Sequence, residues 1–589
     1  MPPHDAPAAH DIPTLPRPAG AREFTLRAIL VSLIVAVLIA ASYPYIVLKL
    51  GFGPNIAVVS AFFGYLMLAV VSRTVALRYE SNLAQSAGTI AGQTAFMCTI
   101  LAAFDLLSGD KSLGLAISLD RMQIFLWLVT AGTLGVFLGV PMRRHYIVDE
   151  KLPYADGIAA AETLLVLDAR GQDAKIAVRS MLTGLVASAV VSVLGMFGKI
   201  LEVWKLPIGA YHKATGVGFS LGLLSIGSGM IIGVRICANM VIGLILSWIV
   251  APGLLHEYGI IPAVDVAKKN DILLWVMWPA TGLMVAGGLT ALFLKWRVLQ
   301  RSFQGLTSAG TDEDDFPMRW VVAGILVSAT AVIIVQNLAM GLPVWESALA
   351  LVLSIPLMLV GLRVLGETNW GPISALSNVM QGVFGAISPG NVTSNMVASG
   401  LTGTTVANSE GIIQSYKTGH MIGSKPRYLT YVQLMAVPVA ALVVAFVYPI
   451  FKAQEHIGEE GGFIPAISAK WYGFAKILSR DGAIPVSALW ALGIGAALGI
   501  VLTILESKPR WKTWVPSPTG IGIGMLVPAA YVATMFVGAM IDWTARKVSD
   551  DRKVDAWSVP LASGFIAGEA LLAVVMAVLF ATGVVSPPG

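Results

Sequence analysis

Residues 366–427 read GETNWGPISALSNVMQGVFGAISPGNVTSNMVASGLTGTTVANSEGIIQSYKTGHMIGSKPR, and this stretch decides the fold. It is rich in Gly, Ser, Thr, Asn and Gln, contains the carboxylates Glu367 and Glu410, and lies between two strongly apolar runs. At membrane depth, polar side chains and broken backbone are tolerated only where protein buries them or where they line a watery cavity. Such residues mark a substrate or ion pathway by default, so the stretch predicts a translocation site.

The composition of the whole chain indicates a membrane protein. Of its 589 residues, 56% are hydrophobic and only 12% are charged, whereas soluble domains carry about 25% charged residues. The net charge of +5 is read by position, because basic residues beside membrane helices set orientation, and it does not imply nucleic-acid binding. Cys98 and Cys237 lie in apolar runs and predict neither a disulfide framework nor a metal site.

Apolar runs of about 20 residues, the length that a spanning helix needs, predict an all-α protein with about sixteen transmembrane helices. They lie near 28–48, 54–77, 82–105, 121–141, 176–197, 215–234, 237–256, 272–295, 318–340, 344–364, 370–388, 391–409, 429–451, 483–505, 518–541 and 558–583. Whether the polar runs near 82, 370 and 391 span fully stays open.

Lysine and arginine in the short loops predict the orientation. Arg17, Arg22 and Arg27 place the N-terminus in the cytoplasm, and basic loops after the predicted fourth, eighth, twelfth and fourteenth helices agree with it. The loop 542–557 disagrees, because it should face outward yet carries four basic residues. We expect a multi-pass protein of the cell (inner) membrane.

The predicted domains follow from these helices. They are a disordered cytoplasmic tail 1–27, a first transmembrane repeat 28–256 containing a cytoplasmic loop 142–175, linking helices 257–343, a second repeat 344–583 and a tail 584–589. Helical spacing of apolar residues within 150–175 predicts an amphipathic helix on the membrane surface. An ordinary solvated loop helix is the alternative.

Short segments recur in the same order in both halves of the chain, which is typical of an internal repeat. The matched pairs are Ser81–Ser86 with Ser394–Ser399, Gly227–Met230 with Gly522–Met525, and more weakly Lys49–Pro54 with Val364–Pro372. The pairing shifts by nine predicted helices, an odd number, so the halves should have inverted topologies. Inverted repeats with broken helices at the centre are typical of secondary transporters. Chance matches in Gly- and Ser-rich membrane sequence are the alternative.

The segment Glu367-Thr368-Asn369-Trp370-Gly371-Pro372 predicts a broken helix. Pro removes a backbone donor and disfavours helix at the residue before it, and Gly adds backbone freedom. The free N–H groups of the next helix would favour an anionic group of a ligand. We therefore take Glu367, Thr368, Asn369 and Trp370 as substrate-site candidates. A structural role, or for Trp370 a role as an interface anchor, is the alternative.

A second group of candidates consists of amides and hydroxyls that the repeat would bring face to face. They are Asn82, Gln85, Ser86 and Gln93 on one side and Asn395, Ser399, Thr402 and Asn408 on the other. Taken singly, each residue is explained by helix packing and hydrogen bonding across helices. As a group they suggest a polar cavity suited to a ligand rich in amide groups.

Carboxylates within apolar runs are candidates for proton coupling, because an intramembrane carboxylate is costly and must pair, protonate or serve transport. The candidates are Glu367, Glu410 and Glu569. The chain has no Gly-rich phosphate loop of the Walker type and no metal-ligand cluster, so we predict neither an enzyme nor a cofactor or metal site. A membrane-embedded ion-pumping enzyme or a channel is the alternative. The former would need acidic clusters to hold Mg²⁺, and the latter a selectivity filter.

Several of these motifs together resemble the oligopeptide transporter (OPT) family over essentially the whole chain. The most specific are GETNWGPISALSNVMQ, NSEGIIQSYKTGHMIGSKPR, LPYADGIAAAE, TGIGIGMLVP and SGFIAGEAL. Ser415-Tyr416 stand where the family's signature has Asp-Leu before the lysine, here Lys417. The Glu-Thr-Asn form of the first motif resembles bacterial members nearer the yellow-stripe branch.

The resemblance implies about sixteen helices and proton-coupled symport by alternating access. It also implies a small peptide or a peptide-like metal chelate as substrate, with protons and membrane lipid as partners. Whether the protein is a homodimer stays open.

Overall fold

The computed structural model describes most of the chain. The described residues are 21–45, 47–48, 56–71, 77–110, 119–168, 172–198, 203–264, 267–294, 314–369, 371–459, 465, 468, 471–472, 475, 478, 486–508, 510–511, 514–549 and 551–581. Trp370 is not among them.

The first half of the chain is helical apart from one small hairpin. Its helices are α1 (Leu26–Tyr45), α2 (Ile56–Val71), α3 (Arg78–Phe96), α4 (Cys98–Gly109), α5 (Arg121–Gly139), α6 (Ala155–Asp168), α7 (Gln172–Met196), α8 (His212–Thr215), α9 (Leu223–Ile232), α10 (Val234–Leu244), α11 (Ala251–Glu257) and α12 (Lys269–Leu294). π-Helical turns occur at Arg144–Asp149 and Ile245–Val250, and β1 (Val203–Lys205) pairs antiparallel with β2 (Gly218–Ser220).

The second half consists of longer helices. They are α13 (Met318–Met340), α14 (Val344–Thr368), α15 (Ile373–Ile387), α16 (Val392–Ile422), α17 (Pro426–Glu455), α18 (Val486–Glu506), α19 (Pro518–Leu526), α20 (Ala529–Val548) and α21 (Asp551–Ala581).

Within the described ranges, nine helical segments are long and apolar enough to cross a membrane, and α2, α9 and α15 are shorter apolar helices. The protein is therefore an all-α, multi-pass membrane protein. The predicted helix near 82–105 is one span, Arg78–Gly109, made of α3 and α4. The predicted helix near 518–541 is instead two helices, because Pro528 follows the end of α19 and begins α20. The number of sixteen spans stays a prediction.

The polar stretch forms a helical hairpin whose ends follow local rules. The α14 helix ends where Asn369 adopts the left-handed conformation, with φ 56°. The Asn391 side chain accepts a hydrogen bond from Ser394 N and so caps the start of α16. Gly423, with φ 80°, ends α16. The hairpin α15–α16 is thus defined by residues that the sequence places at its ends.

The α16 helix lies at the centre of the molecule and is buried along nearly its whole length. It packs against α3, α5, α14 and α15. Its small residues allow close approach: Gly400 faces the ring of Trp127, and Gly135 of α5 faces Thr405 and Asn408. A long polar helix is therefore enclosed by four neighbours, of which α3 is itself polar.

The remaining helices pair across the chain. The α7 helix packs along α21 and α12 packs along α18. The short α9 packs against α20 and α21, and the short α19 packs against α10 and α12. Helices far apart in sequence therefore form the outer layers.

The predicted loop 142–175 contains α6, as expected, but this helix does not lie on a surface. Nine of its residues are buried, and it packs against α2, α16 and α21. Ala159, Ala160 and Ala161 are small enough to let neighbouring helices enclose it, and Thr418 Oγ1 donates to the carbonyl of Gly157 over 3.0 Å. Apolar spacing alone did not distinguish a surface helix from a helix packed on several sides.

Candidate functional site

The predicted break between α14 and α15 is confirmed, since α14 ends at Thr368 and α15 begins at Ile373. Gly371 sits in the break and contacts the carboxylate of Glu410 on α16. A Cβ atom at position 371 would overlap Oε2 of Glu410 and lie 2.8 Å from Oε1. Only glycine therefore lets the broken backbone approach this carboxylate so closely.

Glu410 is 2% exposed. Its Oε1 atom has no hydrogen-bond partner in the described part of the chain. A buried carboxylate without partners is strongly disfavoured in its charged form. Glu410 is thus a buried acid beside broken backbone.

Glu367, by contrast, belongs to a network of charges. Arg363 lies 2.8 Å from Glu367 Oε1 and 2.7 Å from Glu150 Oε2. The ring of the buried His145 lies 3.2 Å from Glu150, and the Ser517 hydroxyl lies 3.4 Å from Glu367 Oε2. Because the guanidinium is permanently charged, it compensates both carboxylates.

Thr368 and Asn369 secure the end of α14. The Thr368 hydroxyl donates to the carbonyl of Val364 over 2.7 Å. Asn369 accepts from Asp156 N over 2.9 Å and donates to Asp156 Oδ1 over 2.7 Å. Burial raises the pKa of Asp156 to about 6, and the hydrogen bond from Asn369 opposes that shift. Asn369 thus attaches α14 to α6, the Thr368 bond stays within α14, and Trp370 lies outside the described residues.

Glu569 of α21 lies at the start of α9. Its Oε2 atom accepts from Leu224 N over 3.2 Å, and a Cβ on Gly222 would lie 3.2 Å from the same oxygen. An anion at a helix N-terminus is stabilised by the free N–H groups and by the helix dipole. Glu569 therefore has a structural reason to be charged.

The second predicted set meets α3 through Thr94, the neighbour of the candidate Gln93. Thr94 Oγ1 donates to Asn408 Oδ1 over 3.0 Å, and Asn408 Nδ2 donates to the carbonyl of Thr404. Gln93 lies nearby, with its Cγ 3.1 Å from a Cβ placed on Gly411. The Thr94–Asn408 hydrogen bond is therefore a packing contact between α3 and α16.

The other α3 candidates lie towards the C-terminal half of α16. Gln433 of α17 donates to the hydroxyls of Ser86 and Ser415, each over 3.0 Å. Gln85 Nε2 donates to Thr89 Oγ1 over 2.9 Å. Among the described residues, both polar atoms of the Asn82 side chain are buried without a partner.

Asn395, Ser399 and Thr402 lie along the N-terminal half of α16. Thr402 shares a hydrogen bond with Ser354 over 2.8 Å. Asn395 Nδ2 donates to the carbonyl of Gln381 over 2.6 Å. No hydrogen bond reaches Ser399 Oγ from any residue that the structure describes. The α3 candidates and these residues therefore occupy two different parts of the core.

Sequence reasoning missed the polar face of α15. Ser377, Asn378 and Gln381 are buried and turned towards its neighbours: Gly403 faces Ser377 Oγ, and Gln381 Nε2 lies 3.0 Å from Met396 Sδ. Their spacing of three and four residues, which places them on one face of a helix, was the signal available.

It also missed the charge network around Arg363. Arg363 and Glu367 are four residues apart within an apolar run, which is the spacing of an ion pair on one helix face. Glu150 and His145 lie more than 200 positions earlier in the sequence, and nothing local connects them to Arg363.

Comparison with known proteins shows the same family over nearly the whole length. Residues 23–580 match the OPT oligopeptide transporter protein family. The chain is 21% identical to a putative oligopeptide transporter of Saccharomyces cerevisiae, covering 84% of this chain and 86% of that protein. It is 23% identical to a probable metal-nicotianamine transporter of Oryza sativa subsp. japonica, covering 97% and 88% respectively.

A bacterial relative extends the comparison. A putative oligopeptide transporter of Haemophilus influenzae is 24% identical, over 86% of this chain and 88% of that protein. The chain belongs to the OPT oligopeptide transporter family.

Proposed function

We propose that this chain is a secondary active transporter of the cell (inner) membrane, with its N-terminus in the cytoplasm. It carries small oligopeptides or peptide-like metal chelates by proton-coupled symport and alternating access. The relatives' names, which specify oligopeptides in some and metal-nicotianamine in others, support this substrate class.

The observation that carries the proposal is the buried polar hairpin α15–α16. Its side chains include amide and hydroxyl groups that have no partner among the described residues, and the isolated acid Glu410 lies beside the break that precedes α15. Packing alone does not favour such groups, since a buried polar atom left unpaired costs about 1–3 kcal/mol. A ligand that supplies the missing partners would recover that cost, and a proton would neutralise Glu410.

Among the three candidates, Glu410 is the proton carrier that the contacts favour. Glu367 is compensated by Arg363, and Glu569 accepts from the N-terminus of α9. Glu410 has neither kind of contact in the described structure. A carboxyl group that alternates between a buried and a hydrated position is well suited to taking up and releasing a proton.

An inverted repeat is part of the proposal, and the packing pattern supports the existence of a repeat. The pair α7–α21 has a counterpart in α12–α18, α9–α20 in α10–α19, and α3–α17 in α5–α16. These three correspondences follow if six helices of the first half match six of the second half in order. The first six are α3, α5, α7, α9, α10 and α12, and their counterparts are α16, α17, α18, α19, α20 and α21. Sequence matches had already paired α3 with α16 and α9 with α19. On this pattern the first repeat extends to α12, beyond residue 256.

The proposal is tested by uptake into proteoliposomes of labelled trialanine, with and without an inward proton gradient and with an iron chelate as competitor. Gradient-driven uptake is expected, and competition by the chelate would indicate a shared site. Uptake of the chelate alone would assign this chain to chelate transport. Uptake of neither would refute the proposal.

Glu410→Gln tests the coupling residue. The variant should lose uptake driven by the proton gradient and retain exchange of labelled for unlabelled substrate, because exchange needs no net proton movement. Glu506→Gln is the control, since Glu506 pairs with Arg235 at the protein surface. Proton-driven accumulation that survives in Glu410→Gln would assign coupling to another residue.

A further inference from the structure

Three buried amides in the α15–α16 region share a pattern that the proposed function does not explain. In Asn378, Gln381 and Asn395, the amide nitrogen is bonded within the protein, and the amide oxygen has no partner in the part of the chain described. All three side chains are at least nine-tenths buried. In all three side chains, the amide oxygen is therefore the atom left without a hydrogen bond among the described residues.

The orientation of each amide is set by what its nitrogen contacts. Asn395 Nδ2 lies 2.6 Å from the carbonyl oxygen of Gln381. Gln381 Nε2 lies 3.0 Å from Met396 Sδ and 3.4 Å from the carbonyl oxygen of Trp471. Carbonyl oxygens and thioether sulfurs can only accept hydrogen bonds, so an NH₂ group must face them. Exchanging N and O would leave each of these contacts with two acceptors.

Asn378 follows the same rule with a weaker contact. Its Nδ2 atom lies 4.0 Å from Met277 Sδ, and its Oδ1 atom is the one without a partner. Asn378 and Gln381 are three residues apart on α15 and so lie on one face of the helix. That face, with Asn395 opposite Gln381, forms a set of hydrogen-bond acceptors that we call the acceptor triad.

The groups around the acceptor triad do not balance it. The hydroxyls of Ser377 and Ser399 are also without partners among the residues described, but a hydroxyl can accept as well as donate. The indole N–H of Trp471, whose backbone carbonyl contacts Gln381, is a donor that also has no partner among the described residues. Three fixed acceptors therefore stand beside one fixed donor.

We infer that the acceptor triad is a subsite for the ammonium group of a ligand. This inference rests on the proposed transport function and specifies that the substrates carry a free amine. An ammonium group carries three N–H donors and no acceptor, so it can satisfy three carbonyl oxygens at once. Hydrogen bonds to a charged donor are stronger than neutral ones. A carboxylate at this place would face three oxygen atoms and be repelled. The triad thus favours a peptide N-terminus over the carboxylate-rich face of a metal chelate.

The first test is equilibrium binding to the purified full-length protein in lipid nanodiscs. The probes are trialanine, N-acetyl-trialanine and trialanine amide. Acetylation removes the ammonium group and should weaken binding by roughly tenfold or more, as expected for loss of a charge-assisted hydrogen bond. Amidation removes only the carboxylate and should change affinity less. Equal affinity for free and acetylated trialanine, or no binding of trialanine, would overturn the inference.

The second test places a charge at the subsite. Asn378→Asp keeps the shape of the side chain and gives up only the contact with Met277, so trialanine should bind more tightly while N-acetyl-trialanine should not. The matched control is Asn337→Asp on α13, whose amide nitrogen donates to the carbonyl of Leu342 away from the hairpin. Tighter binding in both variants, or in neither, would contradict an ammonium subsite.

These binding measurements are separate from transport. Amine-selective binding without proton-driven uptake would refute the proposed symport and leave the ammonium subsite standing. Proton-driven uptake with equal binding of acetylated and free trialanine would do the reverse.

Discussion

The two polar regions on either side of the helix break differ in how well their groups are paired. Before the break, Arg363, Glu367 and Glu150 form ion pairs, and Asn369 and Asp156 exchange two hydrogen bonds. After it, Asn378, Gln381 and Asn395 each keep an oxygen without a partner among the described residues. The paired groups of the first region, which we call the joint, hold α14 against neighbouring elements. The second region is the one that we propose binds a ligand. Polarity at membrane depth therefore has two meanings, which the pairing of each group separates.

The largest expected effect is on the joint. Arg363→Leu leaves Glu150 and Glu367 buried without their shared cation, and breaking such a pair costs about 3–5 kcal/mol. Unfolding by SDS in mixed micelles should show this loss. Arg235→Leu is the control, because the Arg235–Glu506 pair is more exposed and should contribute about 1 kcal/mol or less. Similar losses of stability in both variants would mean that the network around Arg363 contributes no more than an exposed ion pair.

The joint should also respond to pH through Asp156. Its pKa lies near 6 in the folded protein against an ordinary value of 3.8, so between these values the folded protein keeps a proton that the unfolded chain has lost. The stabilisation is complete below about pH 4 and is lost as the pH rises through 6, by at most about 3 kcal/mol. In Asp156→Asn this part of the pH dependence should disappear. A stability profile unchanged by the substitution would show that Asp156 does not titrate in this way.

The break itself should be sensitive to one methyl group. Gly371→Ala places a Cβ against the carboxylate of Glu410, and overpacking of this kind costs about 1–3 kcal/mol. Uptake should fall by more than the loss of stability explains, because the displaced group is the proposed proton carrier. Gly493→Ala on α18 is the control, since a Cβ there meets no atom within 4 Å. An active Gly371→Ala protein would mean that the contact with Glu410 is dispensable.

The smallest effect separates paired from unpaired hydroxyls. Thr94→Val removes the donor to Asn408 Oδ1 and should cost about 1 kcal/mol of stability. Ser399→Ala removes a buried hydroxyl that has no partner in the described structure, so stability should hold or rise slightly while substrate binding weakens. If Ser399→Ala were the more destabilising of the two, the distinction between the regions would not hold.

Much of the architecture could be predicted because it depends on local rules. Pro372 and Gly371 predicted the break, and apolar length predicted spans such as Met318–Met340. Residue pairing could not be predicted in this way. Glu367 and Glu410 look alike in the sequence, yet one pairs with Arg363 and the other contacts a glycine, because tertiary contacts decide which neighbour each carboxylate has. Asn378 and Gln381 were missed because their polarity within α15 is ordinary until the missing partners are known.

The pairing of α7 with α21 also bears on how the chain is made. Roughly 380 residues separate these partners, and at typical synthesis rates of about 5–20 residues per second the first helix waits roughly 20 to 80 s for the second. The short α9 waits somewhat less long for α20 and α21, and its ten residues span only about half of a bilayer core. Neither half of the chain can therefore complete its packing alone during biosynthesis. A chain truncated before residue 551 would contain α7 without α21, the helix along which α7 packs.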